Sequence, residues 1–235
     1  MDRAQHHSDL DALQREIVAC RRCARLVEHC QTIARVKRRA YLDWDYWGRP
    51  VPSFGDPDAR LLLVGMAPGA HGANRTGRVF TGDSSGDFLY DALFQTGFAS
   101  QPTATSSDDG LVLRDCYIAS AVRCAPPQNK PRSDEFAACR TFLEREASLL
   151  PRLRAVVTLG RLAHASWLGV LRTHDPSLRA KDYAFEHARH FSRPNNGPDL
   201  LCSYHPSRQN TQTGLLTKSM LINVLQIARR IVSDT

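Results

Sequence analysis

The chain has 235 residues, 42% of them hydrophobic, which is enough for one well-buried core and typical of a large α/β domain. Its 31 Lys and Arg against 24 Asp and Glu give a net charge of +7, which suits a polyanionic partner such as nucleic acid and equally a generic basic enzyme. No segment is apolar for long enough to span a bilayer, and the polar N-terminus lacks the apolar region of a signal peptide, so we expect a cytoplasmic protein with no membrane partner.

The first quarter of the chain is predicted as one helix followed by a charged and then an aromatic segment. Residues 8–30 show helical spacing of apolar side chains, with Ser8 as the N-cap. The basic run 35–39 is interpreted either as a set of phosphate contacts or as a solvated helix face. The aromatic segment that follows, 41–56, reads YLDWDYWGRPVPSFGD; it contains Pro and Gly residues and is expected to form an ordered surface structure.

Short apolar runs alternate with helical patterns along the rest of the chain. The predicted strands are 60–65, 116–122, 154–159 and 200–204, the helices 85–96, 133–150, 161–171 and 214–232, and the polar stretches 99–110 and 172–198. Such alternation indicates βαβ units and a largely parallel sheet within one domain, residues 1–235. Ligands of such sheets bind beyond the carboxyl ends of the strands, so the loops after the first, second and last strands are expected to converge.

Seven cysteines in a cytoplasmic chain are not expected to form disulfides. Cys20 and Cys23 lie one helical turn apart, Cys124 follows a strand, and Cys139 lies in the next helix. Four thiolates suit zinc or an iron–sulfur cluster, and spacing alone favours zinc as the commoner metal. The alternative is that Cys124 and Cys139 are small buried hydrophobic residues. Core packing is the interpretation for the other three cysteines, Cys30, Cys116 and Cys202.

Two loops after predicted strands have unusual compositions. Loop 65–83 reads GMAPGAHGANRTGRVFTGD, and its glycines allow a backbone to approach a ligand closely. It lacks the Gly-Lys-Ser/Thr of a Walker motif and the GxGxxG of a dinucleotide-binding loop. The second loop, 205–210, reads HPSRQN.

These two loops resemble the two signature motifs of the uracil-DNA glycosylase superfamily, most closely those of its type 5, or family B, branch. Segment 44–62 is similar to the same branch, and the resemblance runs from the CxxC pair to the C-terminal helix. It implies a three-layer α/β/α sandwich around a central four-stranded parallel sheet. It also implies a [4Fe–4S] cluster in place of zinc, because four cysteines match the positions that hold this cluster in types 4 and 5. These are Cys20, Cys23, Cys124 and Cys139.

The resemblance further implies a monofunctional base-excision repair enzyme. It would hydrolyse the N-glycosidic bond of uracil, and of hypoxanthine and other modified bases, in DNA whose damaged base has been flipped out of the duplex. We expect it to act as a monomer. A competing interpretation is a non-catalytic iron–sulfur DNA-binding protein of the same fold, and a third is a zinc-bearing hydrolase of small molecules.

Roles for individual side chains follow from the resemblance. His205 matches the histidine of the second motif and is expected to donate a hydrogen bond to the base oxygen that gains charge. Phe80 matches the aromatic residue that stacks on the base, although a phenylalanine that anchors the loop in the core is a serious competitor. Further base contacts are expected from Gly65, Ala67, Ser120 and Asn210.

The group that activates water is the open point of this interpretation. The carboxylates used by other branches are replaced here by Ala67 and Met66. Asp83 is the position to which the resemblance points, with the N-cap of the next helix as its alternative role. Asn74 and His71 are the other candidates for positioning the water.

Base selectivity and DNA contacts complete the expectations. Ser120 stands where type 4 enzymes have an Asn that reads the uracil edge, so a smaller group there implies a wider range of bases. Arg75, Arg78 and Arg208 are candidate phosphate contacts. Gln209 is a candidate to fill the gap left by the flipped base, and ordinary exposed loop is the alternative for Arg208 and Gln209.

Overall fold

A six-stranded sheet forms the centre of the computed structural model, which describes residues 3–234. The strands are β1 (Phe54–Gly55), β2 (Leu61–Gly65), β3 (Cys116–Ser120), β4 (Ala155–Leu159), β5 (His190–Phe191) and β6 (Asp199–Ser203). Their order is β1-β3-β2-β4-β6-β5, in which the four central strands are parallel and the two edge strands antiparallel. The predicted four-stranded parallel sheet is confirmed. The edge strands have two residues each, too few to show a pattern in the sequence.

Helices cover both faces of this sheet. They are α1 (Arg3–Ala19), α2 (Ala24–Val36), α3 (Ala73–Thr76), α4 (Ser84–Gln95), α5 (Ser133–Ser148), α6 (Arg161–His174), α7 (Arg208–Gln212) and α8 (Lys218–Ser233). Side chains of β2 alternate between the faces: Leu61 packs with Leu89 of α4 and Leu221 of α8. Leu62 packs with Trp167 of α6 on the opposite face. The three-layer α/β/α sandwich is therefore confirmed.

The predicted single helix 8–30 is wrong, because the chain forms two helices, α1 and α2, with the CxxC pair at the break between them. Ser8 lies inside α1 and does not cap it. Ile17 of α1 packs with Phe142 of α5, whereas Leu26 of α2 packs in a different cluster around the cysteines. The chain turns between the helices because each buries its apolar side against a different neighbour.

The predicted C-terminal helix begins later than expected. Gly214 has a left-handed φ of 73°, and the hydroxyl of Thr217 accepts a hydrogen bond from the Met220 amide as the N-cap of α8. The short helix α7 precedes this turn and begins with the last three residues of the HPSRQN loop, 208–210. Within residues 3–234, none of the helices combines the length and apolar character needed to cross a bilayer.

Candidate active site

A cavity of about 550 Å³ lies at the carboxyl ends of the parallel strands. Its walls come from the loops after β2, β3, β4 and β6. The three loops that were expected to converge therefore do so, and the loop after β4 joins them. This is the edge at which α/β sheets bind ligands.

Phe80 forms part of the cavity wall in a backbone conformation that L-residues rarely adopt, with φ of 51°. Two glycines make room for it. A Cβ on Gly65 would lie 2.8 Å from the Phe80 ring, and a Cβ on Gly86 would lie 1.7 Å from the Phe80 carbonyl oxygen. Gly65 thus lies behind the ring and outside the cavity wall, and the ring stands 5.8 Å from the imidazole of His205, centroid to centroid.

His205 follows β6 and lines the same cavity. Burial lowers the pKa of its imidazole to about 4, so the ring is neutral at physiological pH. Asn210 lies outside the cavity wall, where its Nδ2 donates to the His205 carbonyl at 2.9 Å. The structure therefore places Asn210 behind His205 as a support of its backbone, and not where a base contact was expected.

The location of Asp83 is compatible with both of the roles that the sequence left open, the cap of a helix and the activation of water. Asp83 is the N-cap of α4, with Oδ1 accepting from the amides of Ser85 at 3.0 Å and Gly86 at 3.1 Å, and it also lines the cavity. Its Oδ2 lies against Gly72, where a Cβ would approach it to 2.0 Å. Burial raises the pKa of this carboxyl group above its usual value.

Asn74 and His71, the other candidates for positioning water, lie outside the cavity wall. The side chain of Asn74 is fully buried, and its Nδ2 donates to the carbonyl of Cys30 at 3.3 Å. The Nδ1 of His71 lies 3.1 Å from the hydroxyl of Tyr46. The side chain of Asn74 thus faces α2, and that of His71 faces the aromatic segment.

The expected base contacts Ala67 and Ser120 both line the cavity. Asn129, which the sequence reasoning missed, lines it as well. It follows Gln128, and both residues have left-handed φ values, 55° and 56°. An Asn in a Pro-rich loop after a strand was the available signal, because Asn adopts this conformation more readily than most residues.

Arg75 and Arg78 require a correction, because the structure buries both of them. They are 3% and 5% exposed, respectively. Arg75 donates to backbone carbonyls of its own loop, and the Nη2 of Arg78 lies 2.7 Å from a carboxylate oxygen of Asp109. Their charges are therefore used inside the protein, and the surface contacts to phosphate expected from the sequence are not available to them.

Other cations stand at the cavity mouth. Arg208 and Gln209 line the cavity and are exposed, as the sequence interpretation required. Arg161, the first residue of α6, also lines it and is exposed, and it was missed because one Arg after a strand is unremarkable in a sequence. The basic run 35–39 is not a continuous helix face, since α2 ends at Val36.

The four cysteines of the predicted metal site come from distant parts of the chain. Cys20 and Cys23 lie in the break between α1 and α2, Cys124 follows β3, and Cys139 lies in α5. Their thiols lie close enough to influence each other. Burial raises the pKa of Cys23 to about 11, and the neighbouring thiol of Cys139 contributes to this increase. Cys20 and Cys139 also contribute, after Cys30 and burial, to the raised pKa of Cys124.

The spacing of these thiols can be compared with that of a zinc site. In the part of the chain that the structure describes, no three cysteine sulfurs lie within 4.8 Å of one another. A single tetrahedral zinc ion with bonds of about 2.3 Å would bring its sulfur ligands to about 3.8 Å from each other. No three of these sulfurs are therefore as close together as the ligands of one zinc ion. Cys30, Cys116 and Cys202 are fully buried, which confirms their predicted place in the core.

Comparison with known proteins agrees with this architecture. The family model of the Uracil DNA glycosylase superfamily matches residues 52–229. The chain is 49% identical over 223 residues to the type-5 uracil-DNA glycosylase of Thermus thermophilus, across 95% of this chain and 98% of that protein. It is 44% identical over 231 residues to the type-5 uracil-DNA glycosylase of Pyrobaculum aerophilum, across 97% of each.

A more distant relative is the type-4 uracil-DNA glycosylase of Sulfurisphaera tokodaii, 27% identical over 154 residues and matched over 65% of this chain and 54% of that protein. The type-5 relatives are matched over nearly their full length, whereas the type-4 relative is matched in part. The chain therefore belongs to the uracil-DNA glycosylase superfamily and, within it, to the type-5 branch.

Proposed function

We propose that this protein is a monofunctional DNA glycosylase that hydrolyses the N-glycosidic bond of uracil, and also of hypoxanthine and related deaminated bases. One observation carries the proposal. Phe80, Asp83 and His205 meet in one cavity at the edge of the sheet that binds ligands in this class of fold. An aromatic ring, a carboxylate and a neutral imidazole are the groups needed to hold a flipped base, to activate water and to stabilise the departing base.

The departing base is stabilised by His205. As the glycosidic bond breaks, its electron pair moves into the base, and charge collects on a carbonyl oxygen of uracil or hypoxanthine. A neutral imidazole donates an N–H hydrogen bond to that oxygen without needing to be protonated, and its pKa of about 4 keeps it neutral. Phe80 stacks on the base and holds it beside His205.

Asp83 is the proposed base for the attacking water. Its Oδ1 is held by two amides of α4, which leaves Oδ2 to accept a proton as the water oxygen bonds to the anomeric carbon. Burial raises its pKa and so makes it a better proton acceptor than an exposed aspartate. Asn129 brings an amide to the same cavity and is proposed to orient the water or the base edge.

A wide range of bases is supported by the small side chains in the wall. Ala67 and Ser120 stand where other branches of the superfamily have a carboxylate and an amide. An amide that pairs with only one base edge rejects others strongly, whereas a hydroxyl and a methyl group reject little. We therefore include hypoxanthine, a larger purine, among the substrates.

The proposed DNA-binding surface surrounds the cavity mouth. Arg161 and Arg208 are exposed there, and neither forms an ion pair within the described residues. The basic run 35–39 adds exposed arginines beside the loop that carries His71. Burial lowers the pKa of His71, and the charge of Arg38 lowers it further, which places Arg38 near this loop. These cations replace Arg75 and Arg78 as the proposed phosphate contacts.

We further propose that Cys20, Cys23, Cys124 and Cys139 hold a [4Fe–4S] cluster. The spacing of the thiols, no three of which are as close together as the ligands of one zinc ion, and their enclosure by apolar side chains support this proposal. When bound, the cluster supplies four covalent anchors that join α1, α2, α5 and the loop after β3. That loop continues to Asn129, so the anchored cysteines also fix one wall of the cavity.

The free state of the cysteines bears on the location of the protein. All seven are free thiols in the structure, which suits a reducing compartment. We propose that the protein works in the cytoplasm as a monomer.

A strand-cleavage assay tests the proposed activity. Oligonucleotides that contain uracil, hypoxanthine or no lesion are incubated with the protein and then treated with alkali, which breaks abasic sites. We expect cleavage at both lesions after alkali only, and none in undamaged DNA. DNA binding without cleavage of any lesion would favour the non-catalytic interpretation.

Metal analysis tests the cofactor. We expect about four iron atoms per chain and visible absorbance. Cys139→Ala should lose iron, while the matched variant Cys116→Ala, which removes a buried thiol outside the group, should retain it. Stoichiometric zinc without iron would overturn the cluster.

A further inference from the structure

The guanidinium of Arg75 makes cation–π contacts with two aromatic rings, whose planes stand at 82° to each other. It lies 4.0 Å from the ring centroid of Tyr41 and 4.0 Å from that of Trp44, and the residue is 3% exposed. These two contacts offset part of the cost of removing the charge from water. Both rings belong to the aromatic segment, so residues outside the glycine-rich loop hold this arginine in place.

The guanidinium of Arg75 ties the two ends of one loop segment together. Its Nε donates to the carbonyl of His71 at 2.8 Å, and its Nη2 donates to the carbonyl of Gly82 at 2.8 Å. Gly82 has a φ of 79°, and a Cβ there would lie 2.4 Å from Nη2. The close approach thus requires glycine at this position. Phe80 lies within the segment that is closed in this way.

The residue after Gly82 is Asp83, the proposed base. Rotation of the peptide between them would carry the Asp83 carboxylate away from the cavity and from the amides that cap α4. The Gly82 carbonyl belongs to that peptide, and Arg75 holds it by a charge-assisted hydrogen bond. Phe80 has a left-handed backbone, so the segment on the other side of Gly82 also depends on an external restraint.

We infer that Arg75 is a positioning residue that acts through the Gly82 carbonyl to set the orientation of Asp83 and Phe80, with Tyr41 and Trp44 as its aromatic contacts. The inference rests on the proposed function. The positioning role of Arg75 differs from the phosphate contact expected from the sequence. A buried positioning residue governs the rate of cleavage and leaves the affinity for DNA unchanged.

The charges around Asp83 support a second readout. Burial raises the pKa of Asp83, and Asp87 from α4 adds to this effect. The Gly86 and Ser85 amides lower the pKa, and Arg75 from α3 lowers it further. His205 shares the cavity as a neutral ring. Removing the charge of Arg75 should therefore raise the pKa of Asp83. Since the ionised carboxylate is the active form, the rate falls at low pH as the carboxylate is protonated. This acidic limb of the pH–rate profile should therefore move to higher pH.

Arg75→Lys and Arg75→Gln test the inference in single-turnover cleavage of uracil-containing DNA. Lysine keeps the charge but cannot bond both carbonyls. We expect both variants to cleave on the order of 10²-fold more slowly, the scale for a misplaced catalytic group, with Kd for DNA within about threefold of wild type. Only Arg75→Gln should also shift the acidic limb to higher pH.

Arg229→Lys is the matched control, because Arg229 also stacks on a ring, that of Phe98 at 3.5 Å, and donates to a carbonyl, that of Thr96 at 3.1 Å. Arg229 lies in α8, outside the glycine-rich loop 65–83, so the Arg229→Lys variant should cleave at the wild-type rate. If the Arg75 variants do not fold, Trp44→Ala is compared with Trp44→Phe, which keeps an aromatic face. Slower cleavage by the alanine variant supports the inference, and equal rates overturn it.

Two further results would overturn the inference. One is a wild-type rate in Arg75→Lys. The other is weaker DNA binding with a shallower salt dependence and an unchanged saturated rate, which is the behaviour of a phosphate contact. Wild-type protein assayed in parallel separates these results from failure of the proposed function, in which wild type itself would leave every lesion intact.

Discussion

Substituting Asp83 by asparagine and by alanine separates its structural role from its proposed chemical role. Oδ1 accepts hydrogen bonds from the amides of Ser85 and Gly86 at 3.0 and 3.1 Å. Asparagine retains an oxygen at this position and caps helices about as well as aspartate. Alanine removes the cap, at a cost of about 1 kcal/mol, which lowers Tm by about 2–4 °C in a chain of this size.

The pH dependence of stability sharpens this comparison. Burial raises the pKa of Asp83, so the folded state binds its proton more tightly than the unfolded state does. The ionised carboxylate therefore destabilises the fold above its folded pKa, and this penalty disappears as the pH falls below the unfolded value of about 4. Asp83→Asn lacks the penalty, so its Tm at neutral pH should equal or exceed that of wild type.

The rate of cleavage should respond differently. Loss of a general base costs at least about 10²-fold, or about 2.7 kcal/mol of activation free energy, and asparagine loses it as fully as alanine does. Both Asp83 variants should therefore be slow, although only the alanine variant is destabilised. The measurements are single-turnover cleavage of uracil-containing DNA and thermal unfolding.

One result would refute this reasoning. If Asp83→Asn cleaves within about threefold of wild type, the carboxylate acts only as a helix cap. Water would then be activated elsewhere. Asn129, which lines the cavity, is the next candidate, ahead of Asn74 and His71, which lie outside it.

Three other substitutions have distinct expected outcomes. His205→Ala should slow cleavage by about 10²–10³-fold and retain the acidic limb of the rate profile, because Asp83 causes that limb; loss of the limb would assign it to His205. Gly86→Ala places a Cβ 1.7 Å from the Phe80 carbonyl oxygen, so unfolding should show a loss of about 1–3 kcal/mol, and an unchanged Tm would contradict the contact. Arg161→Gln should reduce the slope of log Kd against log salt concentration by about 1, whereas an unchanged slope would remove Arg161 from the DNA surface.

Much of the fold could be predicted from local pattern. Short apolar runs bounded by polar loops identify strands buried on both faces, and this rule located all four parallel strands. It also indicated the edge of the sheet where the loops meet. The prediction of one helix over 8–30 missed the break between α1 and α2. Ile17 and Leu26 are nine residues apart, which would place them on opposite sides of a continuous helix, and the structure packs them against different neighbours.

The side chains that line the candidate active site divide along similar lines. His205, Phe80 and Asp83 belong to contiguous loops whose order of residues is itself distinctive, so the sequence identified them. Asn129 and Arg161 reach the cavity only because β3 and β4 end beside β2 and β6. No local pattern reports which loops the order of strands brings together.

The sequence by itself determined the α/β class, the two motif loops and the set of four cysteines, because periodicity, composition and residue order are local properties. Only the tertiary structure decided that Arg75 and Arg78 are interior residues. Their surroundings come from distant parts of the chain: Tyr41 and Trp44 contact one guanidinium, and Asp109 pairs with the other. A charged side chain is exposed or buried according to the partners that the fold brings to it, and these partners cannot be read from its neighbours in the sequence.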